Sequence, residues 1–318
     1  MSEPVAERLG IWVAATLGWP PNASITTTRI GTGHSRAMYV VEASGAAERV
    51  VARVVARVEQ GGVFGTTSAE ECRVMRGLHA AGFPVAEIVA QDLTGTAIGQ
   101  PVFVMSFIEG DLHDDERILD HSTAASFVAT LAHLHGLDST ALGFDLVPVT
   151  PNEATHLQIE RWHALVNSST EHRVPLIDEA AAWLHHFAPP LDRLAVVHGD
   201  AGPGNLVHRD GTVLALTDWE FAHLGDPAED WSFCLTMRGS RTMDRDQWLA
   251  MFRDHAGVQF DPATWRYWEA FNLFKGACAN RSCLPLFRSG ANRSPNLAII
   301  GTTLHQVFLR RLAQIVHS

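Results

Sequence analysis

The segment between Leu194 and Trp231 holds the residues best suited to chemistry. A short apolar strand leads into His198-Gly199-Asp200, and Asn205 follows five residues after Asp200. The next stretch, NLVHRDGTVLALTDW, has the pattern of a β-hairpin with its turn at Arg209-Asp210-Gly211, and Asp218 lies near its end. Such a hairpin returns Asp218 to the side of Asn205. We therefore expect two carboxylates and one amide to converge at the mouth of a small β-unit.

This set of side chains suits phosphoryl transfer. Oxygen atoms of Asn and Asp are ligands for Mg²⁺, which takes few protein ligands and completes its shell with phosphates. A second Asp near a hydroxyl can orient that hydroxyl and accept its proton. A lone Asp after a strand is more often an ordinary turn residue, but the spacing from Asp200 to Asn205 and Asp218 argues against that interpretation.

Three spaced motifs resemble those of one family. HGDxxxxN at His198–Asn205 is followed by DWE at Asp218–Glu220 and by GDPxxD at Gly225–Asp230. Together they resemble the signature of the aminoglycoside phosphotransferase and choline kinase-like family, and the resemblance extends from near residue 31 to near residue 235. It implies an α+β, bilobal, protein-kinase-like fold with a small β-rich N-lobe and a larger, mainly helical C-lobe. It also implies Mg²⁺ and ATP or GTP bound between the lobes.

Matching these motifs residue by residue implies a role for each position. Asp200 corresponds to the catalytic residue that positions the acceptor hydroxyl. Asn205 and Asp218 correspond to the metal ligands. His198 corresponds to a residue that braces the loop without reacting, and Asp230 to a structural residue behind the loop.

The N-lobe should then supply phosphate contacts. The sequence Gly31-Thr32-Gly33-His34-Ser35-Arg36 lies between two predicted strands, where a kinase glycine-rich loop would lie. We predict that phosphate meets backbone amides near Gly31 and Gly33, and the side chain of Ser35. A plain hairpin turn explains GxG equally well, and the sixth position departs from the family pattern because it is Arg36.

The family also implies a basic residue on the third strand, paired with a Glu on the next helix. The single lysine of the sequence, Lys275, lies far from that strand. We predict that Arg53 replaces it and pairs with Glu71, because a guanidinium fork can hold a carboxylate and a phosphate. Arg57 is the rival, since residues 53 and 57 share a strand face. In a third interpretation both arginines face solvent.

The contacts to the purine and to the acceptor carry weaker signals. FVMSFIEGDL, residues 103–112, looks like the hinge between kinase lobes, so the backbone from Ser106 to Ile108 is expected to bind the purine. A backbone contact leaves no trace in the sequence, which therefore does not distinguish ATP from GTP. Trp162, Trp265 and Lys275 are the candidates to line an acceptor pocket among the C-lobe helices.

Two features bear on the acceptor itself. An acidic run suits a cationic aminoglycoside, although a solvated loop is the more common explanation of such a run; it comprises Asp111, Asp114, Asp115 and Glu116. The aromatic C-lobe favours a partly apolar hydroxylated compound, such as a hydroxyacyl or lipid-like molecule. The sequence does not choose between them.

The elements that must position these residues follow from periodicity and turn signals. The N-lobe, residues 1–107, is predicted to begin with a helix over 5–18 and to continue with an antiparallel meander over 25–60. A helix over 68–81 follows, capped by Ser68 with Glu71 completing a capping box. The C-lobe, residues 108–318, is predicted to be mainly helical around a β-rich patch. The remaining elements are strands at 85–91 and 101–107, helices at 122–137, 153–168 and 175–187, the β-rich patch at 194–224 and helices from 227 to 318.

Composition excludes several classes of protein. The chain has 318 residues, of which 46% are hydrophobic, so a large core is available and global disorder is excluded. A net charge of −11 argues against a nucleic-acid partner. The apolar run near the start suits neither a signal peptide nor a membrane span. Four cysteines without a CxxC pattern suit reduced thiols. We expect a cytoplasmic protein with no membrane partner.

The function expected from these features is Mg²⁺-dependent transfer of the γ-phosphate of ATP or GTP to a hydroxyl of a small molecule. The alternative from another class is a catalytically silent nucleotide-binding scaffold, for which the missing strand lysine is the only support. A protein Ser/Thr kinase is disfavoured because the HRD, DFG and APE segments are absent from the sequence.

Overall fold

A computed structural model describes residues 3–30, 36–45, 49–60, 63–113, 117–144, 147–169, 173–292 and 294–318. The predicted phosphate contacts at Gly31, Gly33 and Ser35 lie outside the described residues, as do the acidic residues at 114–116. Within the described ranges, none of the helices combines the length and the apolar character needed to cross a bilayer.

The first part of the chain forms a five-stranded antiparallel sheet in the spatial order first, second, third, fifth, fourth. This arrangement confirms the predicted meander and the two later strands. Its strands are β1 (Ser24–Ile30), β2 (Arg36–Ser44), β3 (Val50–Glu59), β4 (Ile88–Asp92) and β5 (Val102–Ser106).

Each face of this sheet is covered by one helix. Helix α1 (Glu3–Thr16) packs Leu9 into the same buried cluster as Tyr39. Helix α2 (Ser68–Ala80) covers the opposite face, where Leu78 joins the main core cluster. Successive side chains of a strand point to opposite faces, so these strands supply apolar residues to both clusters.

The start of α2 differs from the prediction by one residue. Thr67 is the N-cap, and its hydroxyl accepts a hydrogen bond from the amide of Glu70 at 3.2 Å. Ser68 is already helical, and its amide and hydroxyl donate to the carboxylate of Glu59 at 2.9 and 2.8 Å. The predicted capping box of Ser68 and Glu71 is therefore wrong, and Glu71 is free of that role.

The rest of the chain is mainly helical, which confirms the predicted fold class. The long helix α8 packs against α4, α5 and α10, and its buried Trp268, Phe271 and Phe274 form the centre of a second core cluster. The sheet of the first part ends at Ser106, and the lobe boundary at 107/108 stays a prediction. The helices are α3 (His121–Gly136), α4 (Pro151–Ser169), α5 (Pro175–Phe187), α6 (Ala228–Phe233), α7 (Arg245–Ala256), α8 (Pro262–Ser289), α9 (Pro295–Ile299) and α10 (His305–Val316).

Five short strands form two small antiparallel sheets in the helical part, most of them in the chain between α5 and α6. One sheet has the order β6-β8-β9 and the other pairs β7 with β10. All of them except the strand at Asp111–Leu112 correspond to the predicted β-rich patch and carry the chemistry-bearing motifs. The strands are β6 (Asp111–Leu112), β7 (Ala195–Val197), β8 (Leu206–Arg209), β9 (Thr212–Leu216) and β10 (His223–Gly225).

Candidate active site

The hairpin of β8 and β9 places Asp218 beside Asn205. Leu206 pairs with Leu216, so Asn205 and Thr217 are neighbours just beyond the ladder. The amide of Thr217 donates to the carbonyl of Asn205 at 2.9 Å. Asp218 follows in a left-handed backbone conformation with φ 67° and ψ 64°. This conformation is uncommon for a residue other than Gly and is concentrated at functional sites.

The turn that follows β7 is held from behind by one buried carboxylate. Asp230 on α6 accepts hydrogen bonds from the amides of His198 (2.8 Å) and Gly199 (2.9 Å) and lies 2.9 Å from Nε2 of His135. Burial alone would raise the pKa of Asp230, but the hydrogen bond from His135 and the other donors outweigh burial and lower it. Residue 199 must be Gly, because its φ is +79° and a Cβ there would lie 2.5 Å from the carbonyl oxygen of Phe221.

The imidazole of His198 connects two loops of the site. Its Nδ1 accepts a hydrogen bond from the amide of Asp200 at 3.2 Å, which requires the ring proton to be on Nε2. Nε2 then donates to the carbonyl of Thr217 at 2.9 Å. The ring is therefore engaged on both sides by main-chain groups, in agreement with a bracing role.

Lys275 supports the same turn from inside the helical part. Its Nζ donates to the carbonyl of Gly199 at 2.7 Å and to Oε1 of Glu229 at 2.5 Å. Burial alone would raise the pKa of Glu229, but the charge of Lys275 outweighs burial and lowers it. This buried position contradicts the predicted role of Lys275 as an acceptor contact, because its ammonium group is used by the catalytic turn.

The two tryptophans proposed for the acceptor pocket are also engaged in packing. Trp162 on α4 is buried and meets Phe221 edge to face, with ring centroids 5.4 Å apart. Trp265 on α8 is half-buried and packs edge to face on Phe260 at 5.0 Å. The interior position of Trp162 contradicts its predicted role, because a fully packed indole offers no surface to a substrate. The predicted contact of Trp265 with the acceptor stays a prediction.

Asp200 and Asn205 meet directly. Nδ2 of Asn205 donates to the carbonyl of Asp200 at 2.9 Å and to its Oδ2 at 2.7 Å. Arg238 binds the same carboxylate through Nε to Oδ1 at 3.2 Å and through Nη2 to Oδ2 at 2.5 Å. The sequence analysis did not identify Arg238, because a single Arg in a helical stretch carries no recognisable motif.

The closest cation to Glu71 is Arg57, with the buried Arg36 at 3.8 Å from the other carboxylate oxygen. Nη1 of Arg57 lies 2.7 Å from Oε1 of Glu71, and Nη2 donates to Oδ1 of Asp218 at 2.9 Å. Arg57 and Glu71 are both buried. Burial alone would lower the pKa of Arg57, but the carboxylates of Glu71 and Asp218 outweigh burial and raise it. Arg57 is therefore charged, and it links α2 to the end of the hairpin.

Arg53 has different partners, so the predicted pair of Arg53 and Glu71 is wrong. Its guanidinium pairs with Glu42 on β2 and with Glu109 at 3.3 Å, and it lies 4.7 Å from the ring centroid of Phe107. Arg53 is thus placed near the hinge segment, with a side chain that is one-third exposed.

The physical reason for this difference is the connection between β3 and α2. The hydrogen bonds from Ser68 to Glu59 hold the start of α2 against the end of β3. Arg57 lies two residues before Glu59, whereas Arg53 lies four residues farther back. At about 3.3 Å per residue, the two arginines are about 13 Å apart along the strand. Of these two arginines, only Arg57 reaches Glu71 in the first turn of α2.

Asn205 and Asp218 fit a magnesium ion. Burial alone would raise the pKa of Asp218, but Arg57 outweighs burial and lowers it, so the carboxylate is charged. Because the amide nitrogen of Asn205 faces Asp200, its Oδ1 remains for a ligand. The described residues contain no group of three or more His, Cys, Asp or Glu side chains that could hold a metal ion. Mg²⁺ needs only one or two protein carboxylates when phosphates complete its shell.

The predicted hinge lies at the end of β5. The amide of Ser106 donates to the carbonyl of Glu87 at 2.9 Å, and the hydroxyl of Ser106 accepts from the amide of Glu87 at 3.0 Å. A purine contact at Ser106 would therefore not use this amide. Ile108 is half-buried against the main core cluster, and its purine contact stays a prediction.

Curated proteins with related sequences are longer than this chain. Acyl-CoA dehydrogenase family member 11 of Rattus norvegicus is 26% identical over 260 residues, which cover 74% of this chain and 33% of that protein. Family member 10 of Mus musculus is 25% identical over 233 residues, covering 65% of this chain and 22% of that protein. The chain thus spans a third or less of the length of these relatives.

Solved structures with low sequence identity share the fold. A choline/ethanolamine kinase family protein from Mesorhizobium loti has a TM-score of 0.66 at 16% identity, covering 98% of both chains. The choline kinase of Streptococcus pneumoniae in complex with AMP has a TM-score of 0.67 at 14% identity, covering 99% of this chain and 100% of that chain. The family model described as the phosphotransferase enzyme family matches residues 26–270. Because this match covers well over half of the sequence, the chain belongs to the phosphotransferase enzyme family.

Proposed function

We propose that the protein catalyses Mg²⁺-dependent transfer of the γ-phosphate of ATP to a hydroxyl group of a small molecule. The observation that supports this most directly is the convergence of Asp200, Asn205 and Asp218. The ion pair of Arg57 with Glu71 adjoins the same site through Asp218. A carboxylate for the acceptor, two oxygen ligands and a fixed cation are the parts that phosphoryl transfer requires.

In the proposed reaction, the carboxylate of Asp200 orients the acceptor hydroxyl toward the γ-phosphorus. The hydroxyl oxygen forms a bond to that phosphorus, the bond to the bridging oxygen of ADP breaks, and the hydroxyl proton passes to Asp200. Asn205 and Asp218 would hold Mg²⁺, and the bound ion would supply positive charge for the phosphate oxygens. Arg57 contributes a charge that stays fixed beside these groups.

The nucleotide in this proposal is ATP. The structure of the Streptococcus pneumoniae choline kinase contains AMP, and an adenine nucleotide bound to the same fold supports this choice over GTP. The predicted hinge at the end of β5 would hold the base. A competition measurement between ATP and GTP at equal concentration tests the choice.

The acceptor is proposed only as a small hydroxylated molecule. Proteins that share the fold are described as acting on chemically different compounds, among them choline and a macrolide. The curated relatives are described as acyl-CoA dehydrogenases, and this chain matches only part of each. A hydroxylated acyl thioester therefore belongs in the same acceptor panel as aminoglycosides, macrolides and amino alcohols.

The test combines nucleotide binding with a transfer screen. Thermal melting is recorded with ATP, with and without Mg²⁺, and γ-labelled ATP is incubated with the acceptor panel. Asp200→Asn is expected to abolish transfer while ATP affinity changes by less than about threefold, because the residue orients the acceptor and not the nucleotide. Asp254→Asn is the matched control, since this exposed residue of α7 pairs with its neighbour Arg253.

Two results would contradict the proposal. Binding of ATP that ignores Mg²⁺, with no transfer to any acceptor or to water, would favour a silent nucleotide-binding scaffold. Transfer that survives Asp200→Asn would assign the chemistry to another residue. A cytoplasmic location, where ATP is abundant and thiols stay reduced, is part of the same proposal, and all four cysteines are free thiols in the structure.

A further inference from the structure

An arginine outside the recognised motifs contacts the proposed catalytic carboxylate. Arg238 is the last residue of a π-helical turn, Cys234–Arg238, that directly continues α6. The same helix carries Asp230, which holds the catalytic turn from behind. One continuous helical segment therefore contacts the Asp200 loop from two sides. Single π-helical turns inside helices occur frequently at functional sites.

The contact between Arg238 and Asp200 has the geometry of a fork. Nε and Nη2 of Arg238 donate to different oxygens of the carboxylate, at 3.2 and 2.5 Å. Two parallel donors fix the plane of the carboxylate as well as its position. Oδ2 accepts a second hydrogen bond from Asn205. Among the described residues, Oδ1 has the single donor Nε, so Oδ1 is the oxygen better placed to receive a proton.

The catalytic loop is shaped to receive the stem of this arginine. Gly202 has an extended backbone with φ −172° and ψ 165°, a conformation open to any residue. Its lack of a side chain matters for another reason. A Cβ at Gly202 would overlap Cβ of Arg238 and would lie 2.6 Å from Cγ and 3.1 Å from Cδ. These atoms belong to the base of the side chain, so a rotation of the guanidinium alone would not relieve the overlap.

The turn that carries Arg238 is itself anchored. The carbonyl of the next residue, Gly239, accepts hydrogen bonds from Nε1 of Trp248 and Oγ1 of Thr242, both at 2.9 Å. A Cβ at Gly239 would lie 2.5 Å from the carbonyl oxygen of Cys234. Trp248 and Thr242 are fully buried. The backbone beneath Arg238 is thus held by the core, and the fork is presented from a fixed point.

We propose that Arg238 is a positioning residue for the catalytic base. This inference rests on the proposed function of Asp200. The fork holds the carboxylate so that Oδ1 faces the acceptor hydroxyl, while Asn205 occupies Oδ2. The close packing against Gly202 fixes the position of the aliphatic part of Arg238 relative to the Asp200 loop.

The experiment compares variants at both ends of this contact. The readouts are kcat for turnover of Mg²⁺-ATP with water as acceptor, the KM for ATP, and ATP affinity. Arg238→Gln removes the charge, Arg238→Lys keeps the charge without the fork, and Gly202→Ala displaces Arg238 while leaving it in the chain. The matched controls are Arg253→Gln, an exposed arginine paired with its neighbour, and Gly136→Ala, where a Cβ meets nothing within 4 Å.

Arg238→Gln is expected to lower kcat by about 10–100-fold, as loss of a supporting partner does at other sites, with KM for ATP changed less than about threefold. Arg238→Lys should recover only part of kcat, because it keeps the charge but lacks the two parallel donors. Gly202→Ala should reproduce the loss in kcat, and both controls should match the wild type.

The possible failures point to different conclusions. A wild-type protein that binds no Mg²⁺-ATP and shows no turnover overturns the proposed function and this inference with it. A wild type that turns over ATP, together with Arg238→Gln and Gly202→Ala variants of unchanged kcat, overturns the inference alone. If Arg238→Gln fails to fold, Arg238→Lys and Gly202→Ala decide. A loss in kcat in Arg238→Gln that comes with an equal loss of ATP affinity, or that Arg238→Lys does not partly recover, also refutes the positioning role.

Discussion

Replacement of Arg57 by Ala tests the assignment on which the N-terminal half of the site depends. Arg57 is buried, and its guanidinium contacts the carboxylates of Glu71 and Asp218 at 2.7 and 2.9 Å. The variant leaves Glu71 as a buried carboxylate without its closest cation. Removing one partner of a buried ion pair costs about 3–5 kcal/mol of unfolding free energy, because the other charge stays desolvated.

The expected loss of unfolding free energy is large enough to distinguish Arg57→Ala from Arg53→Ala. A loss of about 3–5 kcal/mol corresponds to a fall of about 5–15 °C in melting temperature for a chain of this size. Arg53 is one-third exposed and pairs with surface carboxylates, so Arg53→Ala should change stability by about 1 kcal/mol or less. The two substitutions remove the same side chain from the same strand face, which makes Arg53→Ala the matched control.

The assay measures denaturant unfolding by fluorescence and Mg²⁺-ATP binding by titration calorimetry. Arg57→Ala should lose both stability and affinity. Arg57→Met combined with Glu71→Leu should recover stability, because an apolar pair can replace a buried ion pair, but it should not recover ATP affinity. Because the pKa of Asp218 is lowered in the folded protein, its ionised carboxylate stabilises the fold above the ordinary Asp pKa, and this stabilisation is lost as the pH falls. The difference in unfolding free energy between the wild type and Arg57→Ala should therefore decrease as the pH is lowered from 7 toward 3.

A single pattern would refute this reasoning. Suppose that the unfolding free energy of Arg57→Ala is within about 1 kcal/mol of the wild type, which is the contribution of a surface ion pair, and that the variant binds Mg²⁺-ATP normally; Arg57 is then not the phosphate-side cation. If Arg53→Ala shows the losses instead, the original assignment to Arg53 is restored.

Three further predictions concern the catalytic region. Asp218→Ala should remove the Mg²⁺ dependence of ATP binding, because it deletes the one carboxylate proposed as a metal ligand; a persistent dependence in the melting assay would place the metal elsewhere. Gly199→Ala should cost about 1–3 kcal/mol in denaturant unfolding because of its positive φ, and more if the contact with Phe221 cannot relax; a neutral result would contradict the turn geometry. Lys275→Met should cost about 3–5 kcal/mol at pH 7, because it removes the ammonium partner of the buried Glu229 carboxylate and leaves it, among the described residues, only His223 at 3.2 Å. Lys275 lowers the pKa of Glu229, so the stability that this pair contributes is lost as the pH falls. The difference in unfolding free energy between the wild type and Lys275→Met should therefore decrease toward pH 4. A difference that does not change with pH would contradict this pairing.

The sequence alone determined the parts of the fold that depend on neighbouring residues. The alternation of β-branched residues and glycine-rich turns predicted the meander, and the turn at Asp210-Gly211 predicted the hairpin of β8 and β9. These patterns succeed because strand pairing across a short turn is set by residues a few positions apart. The same locality brought Asn205 and Asp218 together in the prediction, since one hairpin joins them.

Tertiary structure decided which distant charges meet. Arg53 and Arg57 have the same neighbours in sequence and share a strand face. Periodicity therefore does not distinguish which of them pairs with Glu71. The choice depends on how the end of β3 meets the start of α2, through the contact of Glu59 with Ser68. That contact lies outside any motif.

The same reason explains the residues that were misassigned or missed. Lys275 was expected near the acceptor because the pocket was placed among the C-lobe helices, but α8 inserts it beneath the turn at Gly199. Arg238 carried no signal in the sequence, and it reaches Asp200 only because α6 ends in a π-helical turn above Gly202. A motif records residues that are close along the chain, whereas the partners that hold a catalytic carboxylate in place come from whichever helix packs against it.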